Sequence, residues 1–351
     1  MPKKAEKTWI QFKDTVVDYV SDERFKATPE YFVTNPVPWS FGSSNETPEL
    51  DRLFAEWVGE EYALTLKEVC AFSLLMDMPI SRIVCLLGDG SNGKSTYVKF
   101  VEKLVGSHNI TSTSIQKLNR SNFEFSKLFK KLIAFIGEID KGIFKQVALL
   151  KMLSGGDLMP VEFKGKDGFD THNYALPIIM ANKLPETTDK TRGFYRRWTL
   201  IDFPNEFPET QGVLNRISDE EIENFCNQIP GLIRNIVEKG MFHKDGSIED
   251  RTKKYEDRVS NIEDFINMYC EHDPEAHITF NDFWYQYNGW MKGNGYEQKS
   301  KPEISKSLTN KKYTIKPKST KKKDIEGHEF LSTVKAIFGL RWKFEEHEDI
   351  I

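Results

Sequence analysis

The sequence lacks long apolar runs and paired cysteines, and these absences exclude several classes of protein. No apolar stretch approaches the roughly 20 residues that a helix needs to cross a bilayer, and the densest, residues 83–87, is only strand-sized. No signal-peptide core follows the basic N-terminus. The four cysteines lie far apart, without the spacing of a zinc site or a disulfide framework. We therefore expect a cytoplasmic protein (host cytoplasm if viral) without a membrane segment.

Charge of one sign is also scarce, since the formal net charge is only −4. The chain as a whole therefore does not look like a nucleic-acid binder. The distribution is uneven, however: residues 299–323 hold ten lysines and a single acid, Glu303. Such a segment can contact phosphate backbones whatever the overall balance, because charges are screened within about 10 Å. A merely solvated face is the competing interpretation, and the sequence leaves the two near parity.

The apolar pattern predicts an α/β fold with three parts. Residues 1–80 are predicted to be helical, because Trp9, Phe12, Val16, Val17 and Val20 recur at helical spacing, and further helices follow Thr47 and Leu64. Residues 81–240 alternate helix-like stretches with four short apolar runs, which predicts buried strands at 83–87, 132–136, 177–181 and 198–203. Residues 254–351 are predicted to form a separate small domain, in which the aromatic stripe of residues 280–291 belongs to the core.

The strongest motif follows the first of these strands. Gly88-Asp89-Gly90-Ser91-Asn92-Gly93-Lys94-Ser95-Thr96 matches the phosphate-loop pattern G-x-x-x-x-G-K-[ST], and a helix-like stretch comes after it. Glycines let backbone N–H groups point at phosphate oxygens, and the helix N-terminus favours negative charge. Lys94 is predicted to reach the β- and γ-phosphates of ATP, and Ser95 to hold Mg²⁺.

The second predicted strand ends in acids. Glu138 and Asp140 follow the apolar run at 132–136. Hydrolysis of a nucleoside triphosphate needs one carboxylate for Mg²⁺ and another to orient the attacking water. Glu138 is the first candidate and Asp140 the second. A solvated strand end would explain the same pattern, but it is a poor explanation after a phosphate loop.

Two further features would complete a site for phosphoryl transfer. Asn182 ends the third predicted strand, where its amide could bond both the γ-phosphate and the water, although asparagine is also common in turns. Arg192, Arg196 and Arg197 precede the fourth strand. An arginine in cis or from a neighbouring subunit stabilises developing charge. A surface basic cluster is the alternative interpretation.

Taken in order, these stretches resemble a known family. The phosphate loop, residues 150–157 (LKMLSGGD), residues 181–185 (ANKLP) and residues 195–198 (YRRW) are similar to superfamily 3 AAA+ helicases, especially the phage/plasmid and poxvirus primase-helicase type. The match is close over about residues 45–205 and looser outside them. The resemblance implies an AAA+ P-loop ATPase core with a parallel sheet, a helical N-terminal domain and a small winged-helix-like C-terminal domain. One departure is that Ile139 separates the two acids, which leaves open which of them is catalytic.

Site roles follow from the resemblance residue by residue. Lys94 and Ser95 would bind ATP–Mg²⁺, Glu138 and Asp140 would hold the metal and the water, and Asn182 would be the sensor. Arg196 or Arg197 would act on the neighbouring subunit.

The resemblance also implies a hairpin after the turn at residues 155–157, which would grip single-stranded DNA with Lys164 and Lys166. For these lysines a solvated turn is the simpler alternative. The C-terminal domain would contact DNA or other replication proteins.

The function predicted is therefore an ATP-dependent replicative DNA helicase of a phage or plasmid. It would form a homo-oligomeric ring of six subunits that translocates 3′–5′ on single-stranded DNA; ring size and polarity come from the resemblance alone. The resemblance also implies a primase-polymerase domain upstream in a longer protein, since no primase site is evident in the first 80 residues. Two other classes remain open: a phosphotransferase acting on a small molecule, and a module that only binds DNA or a replisome partner.

Overall fold

The computed structural model describes residues 3–137, 143–144, 146–259, 262–294, 296, 298–323 and 329–343. They group into two compact units, one formed by residues 1–140 and 144–255 and the other by 141–143 and 256–351. Among the described residues, no helix is both long and apolar enough to cross a membrane.

Seventeen strands occur in the described residues. In chain order they are β1 (Lys3–Lys4), β2 (Trp9–Gln11), β3 (Thr15–Asp18), β4 (Arg24–Lys26), β5 (Tyr31–Phe32), β6 (Ile83–Leu87), β7 (Ile110–Thr113), β8 (Ile133–Ile136), β9 (Ile143–Phe144), β10 (Leu158–Val161), β11 (Phe169–His172), β12 (Leu176–Ala181), β13 (Glu186–Thr187), β14 (Trp198–Asp202), β15 (Cys270–Thr279), β16 (Thr314–Lys323) and β17 (Glu329–Trp342).

Eleven α-helices occur in the same residues. They are α1 (Pro48–Val58), α2 (Glu60–Phe72), α3 (Lys94–Val105), α4 (Ile115–Arg120), α5 (Val147–Gly155), α6 (Arg192–Tyr195), α7 (Asp219–Lys239), α8 (Ile248–Val259), α9 (Ile262–Tyr269), α10 (Phe280–Gly293) and α11 (Lys301–Asn310). Three short 3-10 helices lie at Ser107–Asn109, Asn122–Lys127 and Val213–Arg216.

A five-stranded parallel sheet forms the centre of the first unit, so the predicted α/β fold class is confirmed at this level. The strand order is β14-β6-β12-β8-β7, and every neighbouring pair is parallel. All five residues of β6 are buried, as expected for a parallel strand covered on both faces. Helices α1, α2, α3 and α7 contribute to the same hydrophobic core. All four predicted strands of residues 81–240 are present.

The N-terminal segment contradicts the prediction of a helix over residues 9–20. Trp9 and Ile10 lie in β2, and Val16 and Val17 lie in β3, which pairs antiparallel with both β2 and β4. Trp9, Phe12 and Val16 fit a helical spacing, but the segment is rich in β-branched and aromatic residues, which favour a pleated strand. Helices begin only at Pro48.

The second unit combines three helices with a three-stranded antiparallel sheet of order β15-β17-β16. The aromatic stripe of α10 packs into its core, as predicted: Phe283 and Met291 are fully buried and Tyr287 is nearly so. Phe265 of α9 contacts Phe283 edge-on, with ring centroids 5.3 Å apart. The lysine-rich segment at 299–323 contains helix α11 and strand β16, which is an edge strand of this sheet.

Candidate active site

The phosphate-loop motif lies where the sequence predicts it, between β6 and α3 at the carboxyl edge of the parallel sheet. Gly88 N donates to Ala181 O of β12 over 3.3 Å, and Phe203 N, just after β14, donates to Leu87 O over 2.7 Å. The loop is therefore tied to both strands that flank β6. Open α/β sheets bind ligands in crevices at the carboxyl ends of their strands, at the point where the strand order reverses.

Two glycines of the loop cannot be replaced without disturbing it. At Gly93, which precedes α3 with φ +92°, a Cβ atom would lie 2.6 Å from Cδ1 of Trp57. At Gly88, a Cβ atom would lie 1.9 Å from Nδ2 of Asn92 and 2.8 Å from the carbonyl oxygen of Phe203. The first needs glycine for both conformation and space, and the second needs it for close packing. The loop backbone is thus fixed by tight contacts.

Lys94 begins α3 and folds back over the loop. Its side chain is largely withdrawn from solvent, and Nζ donates to Gly88 O over 2.6 Å and to Asn92 Oδ1 over 2.9 Å. Burial lowers the pKa of Lys94, while the charge of Asp89 acts in the opposite direction. A partly desolvated ammonium group that bonds only neutral oxygens here can exchange them for phosphate oxygens at a gain in Coulomb energy. The loop therefore fits a polyphosphate.

The loop lines a cleft with a volume of about 1010 Å³. The cleft contains Ser95, the proposed metal ligand, and Asn182, the proposed sensor. The fold therefore brings these two predicted site residues to one place. The other lining residues are Leu53, Glu56, Trp57, Gly90, Ser91, Asn92, Gly93, Thr96, Ile136, Gly137, Met180, Ala181, Phe207, Pro208, Glu209, Thr210, Val213 and Arg216.

Glu138 and Asp140 lie outside the described residues. The residue before them, Gly137, follows β8 and lines the cleft, and its N–H donates to Thr113 O over 2.8 Å. The chain thus leaves β8 at the cleft. The roles of the two acids stay predictions. Among the described residues, no group of three or more histidine, cysteine and acidic side chains could hold a metal ion.

Two parts of the cleft were missed by the sequence analysis. Helix α1 supplies Glu56 and Trp57 to one wall, and Asn205 Nδ2 holds this helix by donating to Glu56 O over 2.7 Å. Arg216, in a 3-10 helix more than 120 residues after Lys94, adds an exposed second cation. No local pattern marks these residues, because their position depends on how α1 and the segment after β14 pack around the loop.

The predicted arginines lie at the opposite edge of the sheet from the phosphate loop. In the parallel pair β6–β14, Trp198 is opposite Ile83 while Asp202 is opposite Leu87. Arg196 and Arg197 precede β14 and are thus about five residues, or roughly 16 Å, from the loop end. Neither lines the cleft of its own chain. Both arginines are therefore remote from the phosphate loop of their own chain.

The two arginines differ in their surroundings. The Arg196 side chain is exposed, while its carbonyl oxygen accepts from Arg82 Nη1 over 3.1 Å and from Arg251 Nη1 over 2.6 Å. Arg197 is half-buried, and its Nη1 donates to Gly193 O. Burial, followed by the neighbouring charge of Arg196, lowers the pKa of Arg197. Arg192 pairs with Glu249 over 2.9 Å.

The predicted hairpin is present. Strands β10 and β11 pair antiparallel from Leu158↔His172 to Val161↔Phe169. Lys164 and Lys166 lie in the exposed connection between them, and Gly165 between the two adopts φ +74°. Helix α5 ends at Gly155, and the residue that caps it, Gly156, is left-handed. Whether the lysines contact DNA stays a prediction.

Comparison with known proteins gives distant likenesses. A family model described as a family of unknown function, DUF5906, matches residues 86–197, which is 112 of the 351 residues. The chain is similar to the A-form apo structure of the NrS-1 C-terminal region (305–718), with TM-score 0.45 and 16% identity, covering 90% of this chain and 79% of that one. A second A-form apo structure of this region gives TM-score 0.43, 14% identity and coverages of 96% and 83%. A further apo structure (305–718) gives TM-score 0.44 and 15% identity, covering 96% of this chain and 85% of that one.

Proposed function

We propose that this chain is the ATP-hydrolysing motor of a DNA helicase of the superfamily 3 type, built on an AAA+ P-loop core. The observation that carries the proposal is the cleft at the carboxyl edge of the sheet, where the fixed glycine loop, Lys94, Ser95 and Asn182 meet. Glycine-rich loops at a helix N-terminus bind phosphate through backbone N–H groups. The motifs that follow in sequence then favour a helicase over other phosphate-loop proteins.

The residues divide the chemistry among them. Lys94 would neutralise the β- and γ-phosphates of ATP, and the Ser95 hydroxyl would be a ligand of Mg²⁺. When bound, Mg²⁺ would supply charge neutralisation at the phosphates. Asn182 would orient the attacking water, and Glu138 or Asp140 would accept its proton and contact the metal.

The position of the arginines supports a ring assembly. Arg196 and Arg197 lie at the sheet edge remote from their own loop, and they would complete a nucleotide site on a neighbouring subunit. A closed homo-oligomeric ring, which we propose to be a hexamer, gives every subunit such a neighbour. Lys164 and Lys166 on the β10–β11 hairpin would then contact single-stranded DNA in the channel during 3′–5′ translocation in phage or plasmid replication.

The second unit supports a DNA-linked role. The order α9-β15-α10-α11-β16-β17 is that of a winged-helix-like domain, in line with the domain proposed for residues 254–351. Lys316 and Lys321 are exposed on the edge strand β16. Lysine contacts of this kind would be made to phosphates and would carry no base specificity.

The decisive experiment is steady-state ATP hydrolysis with and without single-stranded DNA. We expect DNA to stimulate the wild-type protein, Lys94→Ala to be inactive, and Lys166→Ala to retain basal turnover but lose the stimulation. Lys26→Ala, an exposed lysine on β4, is the matched control and should behave as wild type. Hydrolysis that ignores DNA in a monomeric protein would instead indicate a small-molecule phosphotransferase, and DNA binding without hydrolysis would indicate a binding module.

A further inference from the structure

Three phenylalanines form a surface cluster at the loop end of the β10–β11 hairpin. The ring of Phe169 lies 5.1 Å from that of Phe129 and 6.3 Å from that of Phe163, and Phe129 and Phe163 are 6.2 Å apart. None of the three belongs to the buried core, and Phe169 is 41% exposed. An aromatic cluster left open to water beside a functional loop indicates a contact surface.

Lysines surround this cluster. Lys130 Nζ lies 5.2 Å from the centroid of Phe129, and Lys166 Nζ lies 5.9 Å from that of Phe163. Lys164 is exposed in the same connection. Three acids, Glu162, Asp167 and Asp170, are also close in sequence, and Glu162 accepts a bond from Asn122. The ring faces therefore suit an uncharged planar group, and the lysines around them suit the phosphates attached to it.

The backbone beside the cluster is held in an uncommon conformation. Lys130, next to Phe129, is left-handed with φ +57°. Its carbonyl oxygen accepts from Nδ2 of the buried Asn35 over 2.9 Å, and Asn35 also bonds Asn109 over 2.8 Å and Tyr174 over 3.0 Å. A non-glycine residue kept at positive φ by a buried hydrogen-bond network is a sign of a pre-organised site. The network thus holds the backbone of Lys130, next to Phe129.

We propose that Phe129, Phe163 and Phe169 form a stacking platform for the bases of single-stranded nucleic acid, with Lys130, Lys164 and Lys166 contacting its phosphates. Aromatic rings combined with lysines bind single strands with little sequence preference, because every base presents a π-face. This inference rests on the proposed function and adds base stacking to the phosphate contacts of the hairpin. The test below distinguishes this platform from the alternative, an apolar docking site for a protein.

The test compares binding of fluorescently labelled oligo-dT with binding of an abasic oligonucleotide of the same length, measured by anisotropy. We expect the wild type to bind oligo-dT more tightly, and Phe169→Leu to weaken oligo-dT binding by roughly ten-fold while leaving abasic binding unchanged. Phe169→Tyr keeps the ring and should restore the preference. Phe25→Leu is the matched control, since Phe25 is a half-buried member of another three-ring cluster, with Trp9 and Tyr31.

Several outcomes would overturn the platform. Equal binding of both oligonucleotides by the wild type would do so, as would a Phe169→Leu variant that keeps the preference for bases or loses both affinities equally. DNA-stimulated ATP hydrolysis by the wild type in those cases would leave the proposed motor standing, with phosphate contacts alone. A wild type that hydrolyses ATP but binds neither oligonucleotide would remove the platform and the helicase proposal together.

Discussion

The two edges of the parallel sheet are stabilised by different kinds of interaction. At the carboxyl edge, glycines and backbone hydrogen bonds fix the phosphate loop, and Lys94 is the one buried cation among the described residues that line the cleft. At the amino edge, where the parallel strands begin, buried charged side chains stabilise the structure. Arg82 and Asp245 form an ion pair there, with side chains 6% and 0% exposed. In the proposed function, the carboxyl edge binds the nucleotide, and the amino edge presents an arginine to a second molecule.

A network of side-chain hydrogen bonds surrounds the ion pair at the amino edge. Asp245 accepts from Arg82, from Thr199 Oγ1 over 2.8 Å and from Phe242 N over 3.0 Å. Arg82 in turn holds the carbonyl oxygen of Arg196. A buried ion pair stabilises a fold only when its remaining hydrogen-bonding groups are satisfied, as they are here. This network fixes the backbone from which the Arg196 side chain projects.

The strongest test of the comparison replaces the arginines. Because Arg196 is exposed whereas Arg197 contacts Gly193, we predict that Arg196→Ala has the larger effect and lowers the rate of ATP hydrolysis on the order of 10³-fold, with nucleotide binding retained. Mixing Arg196→Ala with Lys94→Ala should restore part of the activity, because mixed rings contain intact sites. Arg192→Ala, which removes the pair with Glu249, is the control. Activity of the mixture no higher than the mean of its components would contradict action in trans.

The next test removes the support of the amino edge. Asp245→Ala leaves Arg82 buried without its partner, so we predict a loss of about 3–5 kcal/mol in the free energy of unfolding measured with urea. Asp189→Ala breaks a more exposed pair, with Lys151, and should cost about 1 kcal/mol or less. Below the unfolding transition, Asp245→Ala should still bind nucleotide, since the loop depends on other contacts. A small loss for Asp245→Ala would show that the network contributes little.

The sequence predicts the carboxyl edge well because its signals are local. Residues 83–87 are continuously apolar and the glycine pattern follows at once, so strand and loop can be inferred together. The sequence does not predict strand β7, because Ile110–Thr113 is half-polar and lies at the sheet edge. The prediction of a helix in place of β2 and β3 is wrong, because this short segment has apolar residues at both helical and strand spacing.

Features that depend on packing between distant segments are beyond sequence patterns. Arg216 lines the cleft because of how the segment after β14 folds. The sequence around Arg216 contains no pattern that predicts this position. The motifs predict that an arginine is needed, but only the parallel register of β6 and β14 places Arg196 at the other edge. The Arg82–Asp245 pair joins residues 163 positions apart. Chemistry can be inferred from local motifs, whereas the side of the molecule on which it acts requires the sheet.

The smallest predicted effect concerns pH and again separates the two edges. Glu68 of α2 is 3% exposed and accepts from His243 N, in the segment that also holds Asp245. The pKa of Glu68 is raised to about 7, mainly by burial and in part by the charge of Asp245, while the His243 N–H and Lys239 act in the opposite direction. The folded protein therefore binds a proton more tightly at this site than the unfolded chain, whose ordinary value is 4.5.

It follows that the stabilising contribution of protonated Glu68 is fully present below pH 4.5 and is lost as the pH rises through about 7. We predict that Glu68→Gln, which keeps an oxygen acceptor for His243 N, raises stability at pH 8 by up to about 3 kcal/mol and has little effect near pH 4.5. Thermal unfolding of wild type and variant across this range measures the difference, with the exposed Glu60→Gln as control. Parallel pH profiles of wild type and Glu68→Gln would contradict it. Because Glu68 supports the amino edge and not the phosphate loop, nucleotide affinity should not follow the same profile.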